Sequence, residues 1–270
     1  MSPELLSPFR RWLPSHDCRK LLIMEQRRIY SKAPITEAII DLRVTQRAGV
    51  SLDLLLRSST EHEALFPRID PIFEATGKLQ VQPGISASAS AQQTQTGFRA
   101  ISSDGKVVCQ RQFSGFTLSR LTPYESWEPF RDLARELWDS YRTVVGCEGV
   151  TRIAVRYVNR IDIPMSSVDL KDYFRTSPEI SPDLPQTMEG FFMQIRLPQS
   201  DLASTAILNQ TIVPSEKAGC TSVVLDIDLF QDHALPNDEC ELWKCFEALH
   251  DRKNEIFEAC ITDAARELFD

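Results

Sequence analysis

The chain has 270 residues, 42% hydrophobic and 25% charged, enough for one large domain or two small ones with a real core. A net charge of −8 argues against the basic excess of a protein that binds nucleic acid non-specifically, although a local arginine stripe can survive an acidic average. No apolar run approaches the roughly 20 residues that cross a bilayer, and the 7 scattered cysteines, without a CxxC pair, read as reduced, mostly buried thiols of a cytoplasmic protein with no membrane association.

Residues 1–23 carry Pro3, Pro8 and Pro14 among Arg10, Arg11, Arg19 and Lys20, with no continuous apolar segment. They read as a disordered tail or a mis-annotated extension, with Met24 as the start, and not as a secretory signal. Pro34 to Val44 reads as the first strand, with Ala38, Ile40, Leu42 and Val44 toward the core and Glu37 and Asp41 away from it. Ser51 caps a short helix, and a second helical piece is expected over Thr60–Ala75, interrupted by Pro67 and Pro71 and ended by Gly77. Leu79 to Leu121 is β territory: the small alternating run Ile85–Ala91, then a hairpin signal at Ser103-Asp-Gly105, with Gly115 marking a bulge or bend. Ser126 opens a long helix whose buried face runs from Phe130 to Val144, and Gly146 stops it.

The stretch Gly149–Pro164 alternates most clearly. Ile153, Val155, Tyr157, Ile161 and Ile163 share one side with Asn159, while Arg152, Arg156, Arg160 and Asp162 share the other. A short helix (Val168–Phe174) and a Pro-rich loop follow, then strands at Gly190–Leu197, Thr205–Val213 and Thr221–Phe230. Asp238 opens the last helix with Glu241 three residues on, a capping-box spacing, and Thr262-Asp263 restarts a final turn.

Each half reads as strand, helix, three strands, long helix, and Glu-Leu-Trp recurs on both long helices at Glu136–Trp138 and Glu241–Trp243. The fold expected is α+β: two fused repeats, residues 24–148 and 149–270, sharing one curved antiparallel sheet with the long helices on one face, in the manner of helix-grip or saddle-like folds. Ala33–Ile40, Val155–Ile161 and the closing Asp226-Ile-Asp, Ile261-Thr-Asp and Glu267-Leu-Phe, in that order, resemble a sporadically distributed prokaryotic family of about 260 residues whose function is unassigned. The resemblance spans roughly Ile29 to Phe269 and implies a single shared architecture without an activity. The family's patchy occurrence suggests an accessory component of a mobile or defence locus.

Phosphate-loop, dinucleotide, serine-hydrolase and zinc motifs are not found, and the histidines stand far apart, so no cofactor and no metal is expected. The candidate site is the arginine stripe. Parity puts Arg152, Arg156 and Arg160, Glu37 and Asp41, and Asp226 and Asp228 each off the core face of their own strand, and if these strands are neighbours the arginines face the four carboxylates. Such a face is either an ion-pair lattice or a surface that binds an anionic small molecule or a protein, with Asn159 a polar handle or a register-fixing amide on the opposite side. A rival reading makes the chain a hydrolase or transferase with a pocket between the sheet and the long helices, which a cleft joining Glu37, Tyr157 and Asn159 would favour, and Glu37 or Asp226 is the candidate general base. An open sheet edge invites a homodimer. Trp127, Trp138 and Trp243 fit a core, and His250–Glu255 reads as a solvated helix face.

Overall fold

Period-two burial builds the centre of the molecule. Ile40, Leu42, Ile153, Val155, Tyr157, Ile227 and Leu229 are fully buried, and each lies two residues from the next on its strand. The computed structural model describes residues 28–82 and 85–270, with backbone alone over 78–82 and 85–89. The readings of residues 1–23, of Met24 and of the side chains in Ile85–Ala89 fall outside the described residues, while Ser90 and Ala91 are exposed on β3 rather than crowded on both sides.

In chain order the elements are β1 (Ile35–Thr45), α1 (Leu52–Thr60), β2 (Arg68–Gln82), β3 (Ile85–Ile101), β4 (Val107–Gln112), β5 (Gly115–Leu121) and α2 (Trp127–Val145). Then come β6 (Gly149–Ile163), α3 (Leu170–Tyr173), β7 (Phe192–Gln199), β8 (Ser204–Val213), β9 (Thr221–Gln231), α4 (Glu239–Cys260) and α5 (Asp263–Arg266). The strands form one 9-stranded antiparallel sheet in the order β2-β3-β4-β5-β1-β6-β9-β8-β7. The α+β class with a single antiparallel sheet is therefore as expected. β1 and β6 lie side by side at the middle, so residues 35–45 join residues 149–163 across the seam.

The helical piece expected over Thr60–Ala75 is not there. Arg68–Gln82 is a strand, and Gly77 lies inside it. The prolines that spoke for an interrupted helix are compatible with β2 because it is an edge strand, where a missing N–H costs no ladder bond on the solvent side. Pro198 stands in β7, the opposite edge. The first half thus has four strands between its helices rather than three. The long run after Gly105 divides into β4 and β5. A Cβ at Gly115 would meet Leu42 O at 2.1 Å, so only glycine lets β5 approach β1 there.

Every helix places its buried residues on one side of the sheet. Leu55, the α2 face from Trp127 to Tyr141, and Leu242, Trp243, Phe246 and Leu249 of α4 pack with the β1, β5 and β6 residues in the larger core cluster. The smaller cluster gathers Ile161, Ile163, Leu225 and Ile227 under Phe174, Phe257 and Ala265. α2 and α4 run antiparallel: Trp127 Nε1 and Arg131 Nη1 donate to Glu247, while Arg142, near the end of α2, pairs with Glu239 at the start of α4. No helix of the described residues is long and apolar enough to cross a membrane.

Candidate functional site

The side of the sheet away from the helices carries no helix among the described residues and is charged along its middle. Parity places Asp41 of β1, Arg152, Arg156 and Arg160 of β6, and Asp226 and Asp228 of β9 there together. Arg156 is the centre. Its Nε and Nη2 donate to the two carboxylate oxygens of Asp226 at 2.8 and 2.7 Å, the planar fork meeting a carboxylate at both ends. Asp226 also accepts from Asn209 Nδ2 at 3.0 Å. The Asp226 side chain is 8% exposed and that of Arg156 is 44% exposed. Hydrogen bonding to Asp226 holds the Arg156 guanidinium above its ordinary proton affinity, against the cost of burial.

Arg152 bridges two strands. It donates to Asp41 Oδ2 at 3.0 Å and to Asp228 Oδ2 at 3.3 Å, and its guanidinium lies 4.6 Å from the centroid of the Phe230 ring. Asp41 also accepts from Arg43 and Thr117, which ties β5, β1 and β6 together. Burial pushes the Asp228 carboxyl up, and Arg152 and Arg156 only partly reverse it. Arg160 turns to the far end of the face. It donates to Asp162, Ser222 and the Pro214 carbonyl. Burial opposes the charge on Asp162, but bonds from Ser222, Lys217 and Arg160 outweigh it and hold that carboxyl below its usual range.

Glu37 shares this face, near enough to Arg156 to act on its charge, but makes none of these bonds. It is separated by the sheet from Tyr157 and Asn159, which are buried on the helix side. The cleft that was to join these three residues is therefore not formed, because strand parity sends Glu37 one way and the other two the opposite way. Asn159 Nδ2 donates to the Tyr157 and Leu225 carbonyls. The amide thus fixes the β6–β9 ladder, next to the point where the β1–β6 register shifts.

Sequence reasoning missed a second polar group, on the helix side. Tyr157 and Tyr124 share a hydrogen bond at 2.9 Å between their hydroxyls. Lys253 Nζ sits 3.5 Å from the centroid of the Tyr157 ring, and His250 stacks on Trp127 at 4.3 Å. Burial pushes the Lys253 amine down to about 7 and Tyr124 up to about 12, and drives Tyr157 well above its usual value. His250 and Lys253 are buried, so the run His250–Glu255 is not a wholly solvated face. The signal was in the spacing: Phe246, Leu249, Lys253, Phe257 and Cys260 follow three- and four-residue steps along one helical stripe.

His233 lies exposed beside Asp232, and no metal-holding cluster of His, Cys, Asp and Glu occurs among the described residues. Of the thiols, Cys109 and Cys260 are buried and both pushed up to about 11 by that burial, while Cys240 is exposed and Cys147, Cys220 and Cys245 are partly exposed, which corrects the expectation of mostly buried thiols. No family model matches the chain, and no curated protein matches it.

Proposed function

We propose that the protein is a non-enzymatic binding module of the cytoplasm that takes its partner, a protein or an anionic small molecule, on the charged face of the sheet. One observation carries this reading. Arg156 stands at the middle of a face that no helix of the described residues covers, with nearly half its side chain exposed, and Asp226 occupies only its Nε and Nη2. A pre-oriented guanidinium loses little freedom when it accepts a second anion, which favours capture. Arg152, Arg160 and Glu37 flank it and set the charge pattern that a partner must match.

Affinity capture from extracts of the native host, read by mass spectrometry for proteins and metabolites, tests it. Arg156→Gln should lose the captured species while retaining cooperative unfolding. Glutamate at 156 is a poor probe, because it sets a second carboxylate beside buried Asp226. Identical captured sets from both proteins would sink the reading and leave an ion-pair lattice that only holds strands together. Gene neighbours read the accessory-locus idea separately.

Two finer readings accompany this one. The first is that the halves arose by duplication: each half's first strand pairs with its last, β1 with β5 and β6 with β9, and the two first strands then meet. The second is an enzyme built on Lys253 and the tyrosine pair. The burial that lowers the amine's proton affinity also shuts it from substrate, so the binding reading is preferred.

A further inference from the structure

Arg111 leaves β4 on the helix side of the sheet, with Phe98 and Phe116 as its cross-strand partners. It is 0% exposed, and none of its Nε, Nη1 and Nη2 has a hydrogen-bond partner among the described residues. A guanidinium keeps its proton inside a protein. A charge in that place with nothing opposite it is among the costliest features a fold can hold.

Two more orphaned polar atoms belong to the segment above it. Ser58 Oγ of α1 and His62 Nδ1 in the turn after α1 are buried without partners. The two residues are four apart, so they project from the same side of that segment, and α1 packs on β3 and β4. The Arg111 charge reaches His62: after burial, it is the largest influence holding the imidazole below its ordinary value. The other imidazole nitrogen, Nε2, lies 3.8 Å from Glu136 Oε1 at the surface. His62 therefore spans outside and inside.

We propose that Arg111, Ser58 and His62 form an internal site for a small oxyanion, a carboxylate or phosphate group, that enters beside His62, whose ring reaches the surface. The chemistry of the set selects the ligand. The guanidinium fork and the hydroxyl donate, as does the imidazole in the tautomer protonated at Nδ1, and the carboxylates that act on His62, Glu61 and Glu136, do so from the surface side. α1 is anchored by Leu55 in the core and packs on α2, β3 and β4, while its C-terminal end is tied at the surface, where Ser140 Oγ of α2 donates to Glu61. This site lies on the opposite side of the sheet from Arg156 and stands or falls independently of it.

Calorimetric titration of the full chain with sodium phosphate, and separately with sodium acetate, at constant ionic strength tests the assignment. Wild type should show one saturable site for at least one anion, with a melting temperature that rises with the same anion. A preference for phosphate points to phosphate esters, and a preference for acetate to carboxylates. Arg111→Met should lose roughly 100-fold in affinity, and Ser58→Ala, which leaves the charge in place, roughly 5- to 10-fold. The site is refuted if wild type saturates with neither anion, or if Arg111→Met binds as well as wild type. Should Arg111→Met fail to fold, Ser58→Ala decides: undiminished affinity refutes the site.

Discussion

Lys253 is 5% exposed, and its ammonium rests on the face of Tyr157. The ring's negative face and the Asp251 carboxylate attract the charge, but burial dominates and pushes the amine down to about 7. Between that value and the ordinary lysine value the unfolded chain binds more protons than the folded one, so this residue makes stability rise with pH. Urea melts at a series of pH values from 7 to 9 should show the rise in wild type and a flatter profile in Lys253→Met, which at pH 7 should be about 1–3 kcal/mol more stable. On the other face, Asp226 and Asp228 differ although they are only two residues apart. Asp226 is fully committed to Arg156 and Asn209, whereas burial disfavours the charge of Asp228. Asp226→Asn should cost about 1–3 kcal/mol and Asp228→Asn distinctly less, both read by denaturant melts at neutral pH. Equal costs would mean that the two carboxylates are interchangeable members of one lattice.

At the scale of elements, local chemistry was the most legible part of the sequence. Asp238 caps α4 as its spacing implied, accepting from Glu241 N at 2.9 Å, and Ser51 caps α1. Asp238→Ala should cost about 1 kcal/mol in a thermal melt. Gly115→Ala should cost more, since the added carbon meets the Leu42 carbonyl in a seam where neither strand can retreat. Strand parity around Arg156 was equally readable, because alternation reports which side a residue takes without reporting its neighbours. β2 was not readable. Its prolines weigh against a strand until the strand is known to be an edge, and edge position is decided by pairings far along the chain. Lys253 and Arg111 escaped for a related reason: charge in a sequence implies water, and only the packed helices above them show otherwise.

For the whole molecule, sheet order sets what can be removed. β2 and β3 pair along nearly their full length, from Arg68↔Ile101 to Gln82↔Ile85, but β4 reaches only Gly97–Ile101 of β3. The outer part of the hairpin, beyond Phe73 and Gln95, is thus a two-stranded ribbon without a third strand among the described residues, and such ribbons are marginal alone. Replacing residues 74–94 by an Asn-Gly turn should leave the melting temperature within a few degrees of wild type; a collapse would show that the ribbon braces the core. The seam between β1 and β6 has the opposite character. During synthesis β1 gains β5 early, but its other edge waits until the ribosome has passed Ile163. Until then a long apolar strand lies open to neighbouring polypeptides on the same polysome, so slow translation between α2 and β6 should raise the share of chains lost to aggregates or held by chaperones.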